Sequence, residues 1–171
     1  EIITECKHMN IPILPPDVNE SYSQFTVIKD DKTTATSDVS GNIPEKNKYR
    51  IRFGLVTIKN FGQGISTAII EERKKNGPYL SLADFLDRVK DRNLNKKSLE
   101  SLIKSGAMDC FGEDRGVMLA NMDLLLEYNK ENANKHSDQT SLFGGMEDHS
   151  SIPKLRLIES SKATAEEKLS W

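Results

Sequence analysis

The strongest constraint on how this chain can fold is the stretch Leu55 to Glu72, L-V-T-I-K-N-F-G-Q-G-I-S-T-A-I-I-E-E. Two short apolar-periodic segments flank Gly62-x-Gly64. Glycines one residue apart let a chain turn with φ > 0 and let a ligand reach the bare backbone. The turn leads into a helix whose first N–H groups have no internal partner and sit at the positive end of the dipole. Such an end suits an anion, a phosphate above all. Ala68, small and four residues on, lets the second helix pack closely against the first. The plainer reading is a turn between two helices, with glycines serving the turn alone. The rest of the chain weighs against it.

Charge is the first such observation. The net charge of −2 is segregated: residues 1–48 carry −3, residues 49–105 carry +6, and residues 106–171 carry −5. The basic excess coincides with the glycine hairpin, as a phosphate-binding footprint requires. Hydrophobic content of 36% against 29% charged residues points to a folded centre with polar flanks. No apolar run reaches the roughly 18 residues of a membrane span, and no signal-peptide pattern opens the chain. Cys6 and Cys110 stand apart with no CxxC or His cluster, which indicates neither a zinc site nor a disulfide framework and fits a reducing cytoplasm. The chain opens Glu1-Ile2-Ile3 without an initiator Met, as a piece of a larger protein would.

Periodicity then divides the chain. A helix end is expected over Glu1–Met9, followed by an extended path imposed by Pro12, Pro15 and Pro16. Phe25–Ile28 and Tyr49–Leu55 read as two paired strands, separated by a long polar loop from Lys29 to Lys48. After the hairpin a helix spans about Ile65–Lys75 and stops at Gly77-Pro78. Ser81 caps a short helix with Leu82, Phe85, Leu86 and Val89 on its buried face. Another runs from about Lys96 to Ser105, with Leu99, Leu102 and Ile103 inward and Gly106 as its stop. A second hairpin is read at Gly106–Gly112, before a helix from about Arg115 to Asn129 whose Met118, Met122 and Leu125 are core.

Two hairpins of this kind about fifty residues apart make a tandem helix-hairpin-helix arrangement, able to offer a backbone site to each strand of a duplex. The expected fold is therefore mainly α. A small antiparallel β-hairpin with a long loop (1–54) precedes a tandem helix-hairpin-helix domain (55–130), and a flexible tail (131–171) follows. Candidate DNA-binding residues are Lys59, Asn60, Gly62, Gln63 and Gly64 at the first hairpin, Lys96 and Lys97 as diffuse charge, and Gly112 and Arg115 at the second. Within the polar tail, Gln139-Thr140-Ser141-Leu142-Phe143 forms an island in which an amide can set orientation while Leu and Phe fill an apolar pocket. Packing of Leu142 and Phe143 back onto the helices is the alternative.

The order of these signals resembles one family. L-P-P-D-V-N-E-S (Leu14–Ser21) and F-T-V (Phe25–Val27) precede I-R-F-G-L-x-x-I-K-N-x-G-x-G (Ile51–Gly64). N-G-P-Y-x-S-L-x-D-F (Asn76–Phe85), L-N-K-K-S-L-E-S-L-I-K-S-G-A-M-D (Leu94–Asp109) and Q-x-S-L-F-G (Gln139–Gly144) then follow. Over about residues 1–145 the chain is similar to the alpha subunit of bacterial DNA polymerase III. That resemblance implies the end of the fingers domain, then the tandem helix-hairpin-helix domain that grips duplex DNA, then an internal peptide that binds the beta sliding clamp. In that scheme Gln139, Ser141, Leu142 and Phe143 occupy the clamp-peptide positions. The sequence departs from the family pattern in its longer 29–48 loop, in Phe61 before the hairpin glycine, and in the polar Thr140.

The resemblance also places the catalytic aspartates and their Mg²⁺ in a palm upstream of Glu1, so the parent is a DNA-directed DNA polymerase and this piece is non-catalytic. No catalytic, metal or cofactor residues are assigned in it. A monovalent cation held by backbone carbonyls at the first hairpin is left open. The partners implied are duplex DNA, the clamp and the rest of the polymerase chain. The competing readings are a targeting module of a DNA repair protein and a protein-interaction domain with no nucleic acid. The collinear flanking segments argue against the repair module.

Overall fold

The computed structural model describes residues 2–29, 49–136 and 155–171. The interior of the 29–48 loop and the Gln139–Phe143 peptide lie outside the described residues.

Short helix α1 (Ile2–His8) leads into strands β1 (Ile13–Leu14), β2 (Thr26–Lys29) and β3 (Tyr49–Arg52). The expected antiparallel pair is present: β2 meets β3 with Val27 opposite Ile51 and Lys29 opposite Tyr49. A third strand joins it, giving the order β1-β3-β2, because the proline-rich path runs parallel to β3. Pro12 has no N–H to give the ladder, but its carbonyl accepts the N–H of Ile51 at 3.0 Å. A strand of this composition can therefore only sit at an edge.

The helical part begins with a 3₁₀ turn (Leu55–Thr57) and continues through α2 (Gln63–Asn76), α3 (Leu82–Arg88) and α4 (Lys96–Lys104). A second 3₁₀ turn (Asp109–Phe111) precedes α5 (Arg115–Ala120), α6 (Met122–His136) and α7 (Ala165–Ser170). Local chemistry accounts for the boundaries. Ser81 Oγ accepts the N–H of Asp84 at 3.1 Å and starts α3. Asn95 and Ser98 form a reciprocal capping box at α4. Gly106 ends α4 at φ +79°, in the left-handed region where a side chain is disfavoured, and the Ala107 N–H reaches back to the Leu102 carbonyl at 3.1 Å.

The single helix expected over Arg115–Asn129 is instead two, broken at Asn121. Asn121 Nδ2 donates to the carbonyls of Val117 (2.8 Å) and Ile158 (2.9 Å), and its Oδ1 accepts the Ile158 N–H. A side chain that bonds backbone so well competes with the helix ladder. The same contact draws residues 155–171 onto the helices, with Leu155 and Leu157 packed against the core. Part of the stretch read as a flexible tail is therefore a seated strap.

One core holds these helices. Leu55, Ile65, Ile69, Phe85, Leu86, Leu99, Leu102, Ile103, Met118 and Leu125 are each at most 1% exposed. Burying each such side chain is worth about 1.5–3 kcal/mol. The apolar stripes read for α3, α4 and α6 all point inward. Ala68 does not lie in the seam: Ile65, Ile69 and Ile70 do, and Ala68 borders a shallow hollow with Glu71, Glu72 and Lys75. Buried Asn129 clasps α6 to α3 by donating to the carbonyls of Leu86 (2.6 Å) and Val89 (3.0 Å).

The strap is fastened at Asp114. Its Oδ1 accepts the N–H groups of Gly116 and Ala163, both at 2.8 Å, and its Oδ2 meets Lys168 Nζ at 2.9 Å. The Ala163 N–H first, then Lys168, hold this carboxyl down to about 2. A depressed carboxylate contributes stability that is present above its ordinary value of about 3.9 and lost as pH falls towards about 2. The expected outcome is that the Ala163 amide loses hydrogen-exchange protection as pH drops through that window. Asp114→Asn should lower the same protection already at neutral pH. Protection indifferent to both changes would contradict this fastening.

Candidate nucleic-acid interface

The first hairpin is built by sequence-local bonds. The Ile58 N–H donates to the Leu55 carbonyl at 3.2 Å and the Phe61 N–H to the Ile58 carbonyl at 3.1 Å. Ile58 and Phe61 are buried, so a large apolar residue before the glycine anchors the turn to the core. Lys59, Asn60, Gly62, Gln63 and Gly64 are exposed along its crest.

The residue that turns the chain is not a glycine. Asn60 takes φ +61°, while Gly62 is extended at φ −86°, ψ 162° and Gly64 lies in the first turn of α2. Asparagine tolerates the left-handed region, which frees the glycines from that duty. The expectation that the glycines supply φ > 0 is thus corrected, and a different reason for them emerges. A Cβ at Gly62 would meet nothing within 4 Å, so neither backbone angle nor internal packing requires glycine there. At Gly64 the nearest group is Asn93 Nδ2, at an ordinary contact distance of 3.4 Å.

Gly62 is also the N-cap of α2, and no side chain caps it. The first intrahelical bond is from the Ser66 N–H to the Gly62 carbonyl, 3.2 Å. The N–H groups of Gln63, Gly64 and Ile65 precede it and have no intrahelical partner; Gln63 and Gly64 are exposed and Ile65 is buried. No acidic residue lies in this first turn. Gln63 Nε2 points away, donating to Ser23 Oγ (3.1 Å) and Thr67 Oγ1 (3.3 Å), and so ties the hairpin to the segment before β2. The result is an uncapped, uncrowded N-terminus with Lys59 beside it.

The 106–112 hairpin is arranged differently. Gly112 is exposed in the left-handed region at φ +78°. The α5 N-terminus is already occupied by the Asp114 carboxylate and covered by the strap, where a Cβ on Gly116 would lie 2.5 Å from the Ala163 nitrogen. Arg115 is committed as well. Its Nε donates to Asp109 Oδ1 at 2.8 Å and its Nη1 to the Lys104 carbonyl at 3.2 Å. Asp109 raises the guanidinium pKa further. This corner is satisfied by its own chain, and the sequence hides the fastening at Asp114 because Ala163 and Lys168 lie far from it in the chain.

The neighbour of the glycine hairpin is instead the Lys90–Asn95 turn between α3 and α4, whose Asn93 Nδ2 lies where a Cβ on Gly64 would meet it. Arg92 and Asn93 are exposed there. The signal in the sequence was the basic run ahead of the Asn95/Ser98 cap. Lys97 is exposed beside it, and Lys96 Nζ meets Asp123 at 2.9 Å with both groups largely in solvent, a pairing of small energetic weight.

Among the described residues no group of three or more His, Cys, Asp or Glu could hold a metal ion, and no helix is long and apolar enough to cross a membrane. Cys6 and Cys110 are both free.

Comparison with known proteins gives this geometry its setting. The family model for the helix-hairpin-helix motif matches residues 10–118. The chain is 38% identical over 149 residues to DNA polymerase III subunit alpha of Thermus aquaticus, a match covering 86% of this chain and 11% of that protein. It is 40% identical over 151 residues to the Borreliella burgdorferi subunit, covering 88% and 12%. The Pseudomonas aeruginosa subunit is 35% identical over 161 residues, covering 85% and 12%. The chain thus spans about a tenth of the length of these curated relatives. It belongs to the helix-hairpin-helix family, in the form carried by bacterial DNA polymerase III alpha subunits.

Proposed function

We propose that this segment holds duplex DNA, independently of base sequence, for a replicative polymerase, and that it also joins that polymerase to its sliding clamp. The observation that carries the DNA reading is Gly62: a side chain is missing at an uncapped helix N-terminus where the fold has room for one. A phosphate oxygen approaching there would accept from the N–H groups of Gln63 to Ile65, helped by Lys59 and by the exposed Arg92, Asn93 and Lys97. Lys96 adds diffuse charge. Gly112 and Arg115 serve the fold in this reading. A monovalent cation could share the carbonyls of Leu55 and Ile58, each of which keeps a second lone pair after accepting a turn N–H.

Nucleotide addition, with its Mg²⁺, belongs to the rest of the polypeptide, and the segment works as a non-catalytic grip in the bacterial cytoplasm. Gln139, Ser141, Leu142 and Phe143 form the clamp peptide. Tethering a weak peptide to a DNA-bound domain raises its effective concentration, so two modest contacts give one durable complex.

A salt titration on two unrelated duplexes tests the reading. Affinity should be equal for the two, and should fall about tenfold between about 50 and 200 mM salt if two phosphates are neutralised. Replacing Leu142 and Phe143 together by Ala should remove clamp binding and leave that duplex affinity in place. A flat salt response or a strong preference for one duplex would overturn the DNA assignment. Clamp binding that survives the double substitution would overturn the peptide.

A further inference from the structure

The three-stranded sheet leaves its larger apolar face open. Its register places Phe25 and Phe53, Val27, Ile51 and Ile13, and Tyr49 along one face. That face is the open one: Phe25 is 54%, Val27 65% and Tyr49 53% exposed. The opposite, more covered face carries Leu14, Thr26 and Ile28 beside Arg50 and Arg52, the last paired with Glu20 and donating to the Pro15 carbonyl. No strand residue belongs to the helical core, which begins at Val18 and Leu55. A sheet with one face covered and one open normally turns its larger apolar side inward. Strands of two and four residues are moreover too small to stand without cover.

We propose that this apolar face is a docking surface for an apolar element of the longer polypeptide, outside these 171 residues. Two observations select that occupant. The relatives carry almost nine-tenths of their length outside the matched segment, and the family match begins at residue 10 and so includes the sheet. The chain's own residues 30–48 are an unsuitable cover by composition, with Ala35, Val39, Ile43 and Pro44 the only apolar side chains in a polar, charged run. Duplex DNA is equally unsuitable, because the face offers one cation, Lys29, among aromatic and aliphatic groups. The inference rests on the family assignment and not on DNA binding.

The test uses the intact polypeptide that carries this segment. A benzophenone photocrosslinker in place of Val27 should join, within one polypeptide, to residues outside the 171. Val27→Asp should lower the thermal midpoint of the intact polypeptide by several degrees. Leu80→Asp, at a site 86% exposed and away from the sheet, should leave it unchanged. Crosslinks to a second copy, to duplex DNA or to any residue within the 171 would overturn the proposal, as would equal effects of the two substitutions. Duplex affinity against salt reads the hairpin separately, so either conclusion can fail without the other.

Discussion

Gly62→Val should lower duplex affinity at least about tenfold, a loss of about 1.4 kcal/mol or more, while the fold stays intact. The two halves of this expectation have separate causes. Gly62 has an extended backbone that any residue adopts, and a Cβ there meets nothing within 4 Å. Valine is a poorer N-cap than glycine, which costs up to about 1 kcal/mol and roughly 2–4 °C in a chain of this size. The branched side chain would nevertheless stand where a phosphate must approach the N–H groups of Gln63 to Ile65. Gly64→Ala sharpens the contrast. Alanine inside α2 should stabilise the helix by up to about 1 kcal/mol. Its methyl group meets only Asn93 Nδ2, at 3.4 Å, yet should still weaken binding. A variant that melts higher and binds worse separates a ligand surface from a turn. Circular dichroism melts beside duplex titrations check both; unchanged affinity in Gly62→Val would show that the glycine serves something else.

Gly54→Ala should do the opposite, destabilising the protein by about 3 kcal/mol or more without touching the hairpin crest. The backbone at Gly54 is extended, at φ −79° and ψ 154°, so conformation is not the reason. Space is. A Cβ there would lie 2.4 Å from both the Gln24 carbonyl carbon and the Ser23 carbonyl oxygen. Those atoms cannot retreat cheaply, because the Leu55 and Val56 N–H groups bond the carbonyls of Tyr22 and Ser23 at 2.9 and 3.1 Å. The clash falls on backbone from both sides, at the junction of sheet and helical core. A denaturant or thermal melt showing less than about 1 kcal/mol of loss would contradict this account of the junction.

Local signals carried much of this fold in the sequence, and long-range ones did not. Ser81, Asn95 and Gly106 mark helix ends because each acts within a few residues of itself. The stripes of α3, α4 and α6 show for the same reason. Asn121, by contrast, gives no sign of splitting a helix until Ile158 is brought beside it. Asp114, the N-cap of α5, carries no sequence sign of its bonds to Ala163 and Lys168. The parallel edge strand was hidden by its prolines, which read as extended but do not name a partner.

At the candidate site the sequence shows the glycines but not the reason for them. Asn60 makes the turn, and the bare surface at Gly62 stands open. The neighbouring Lys90–Asn95 turn gives no local sign of its place, because its closeness to Gly64 is a tertiary fact. The Gly106–Gly112 hairpin shows its glycines in the sequence, although its cation and its helix end are both satisfied within the fold.

The central claim is that the α2 N-terminus receives a phosphate on bare backbone. Amide chemical-shift mapping with a short duplex of arbitrary sequence tests it most directly. The largest perturbations should fall on the N–H groups of Gln63, Gly64 and Ile65, with smaller ones at Arg92 and Asn93, and should vanish as salt is raised. Perturbations centred on Gly112 to Gly116, with residues 62–65 silent, would contradict it.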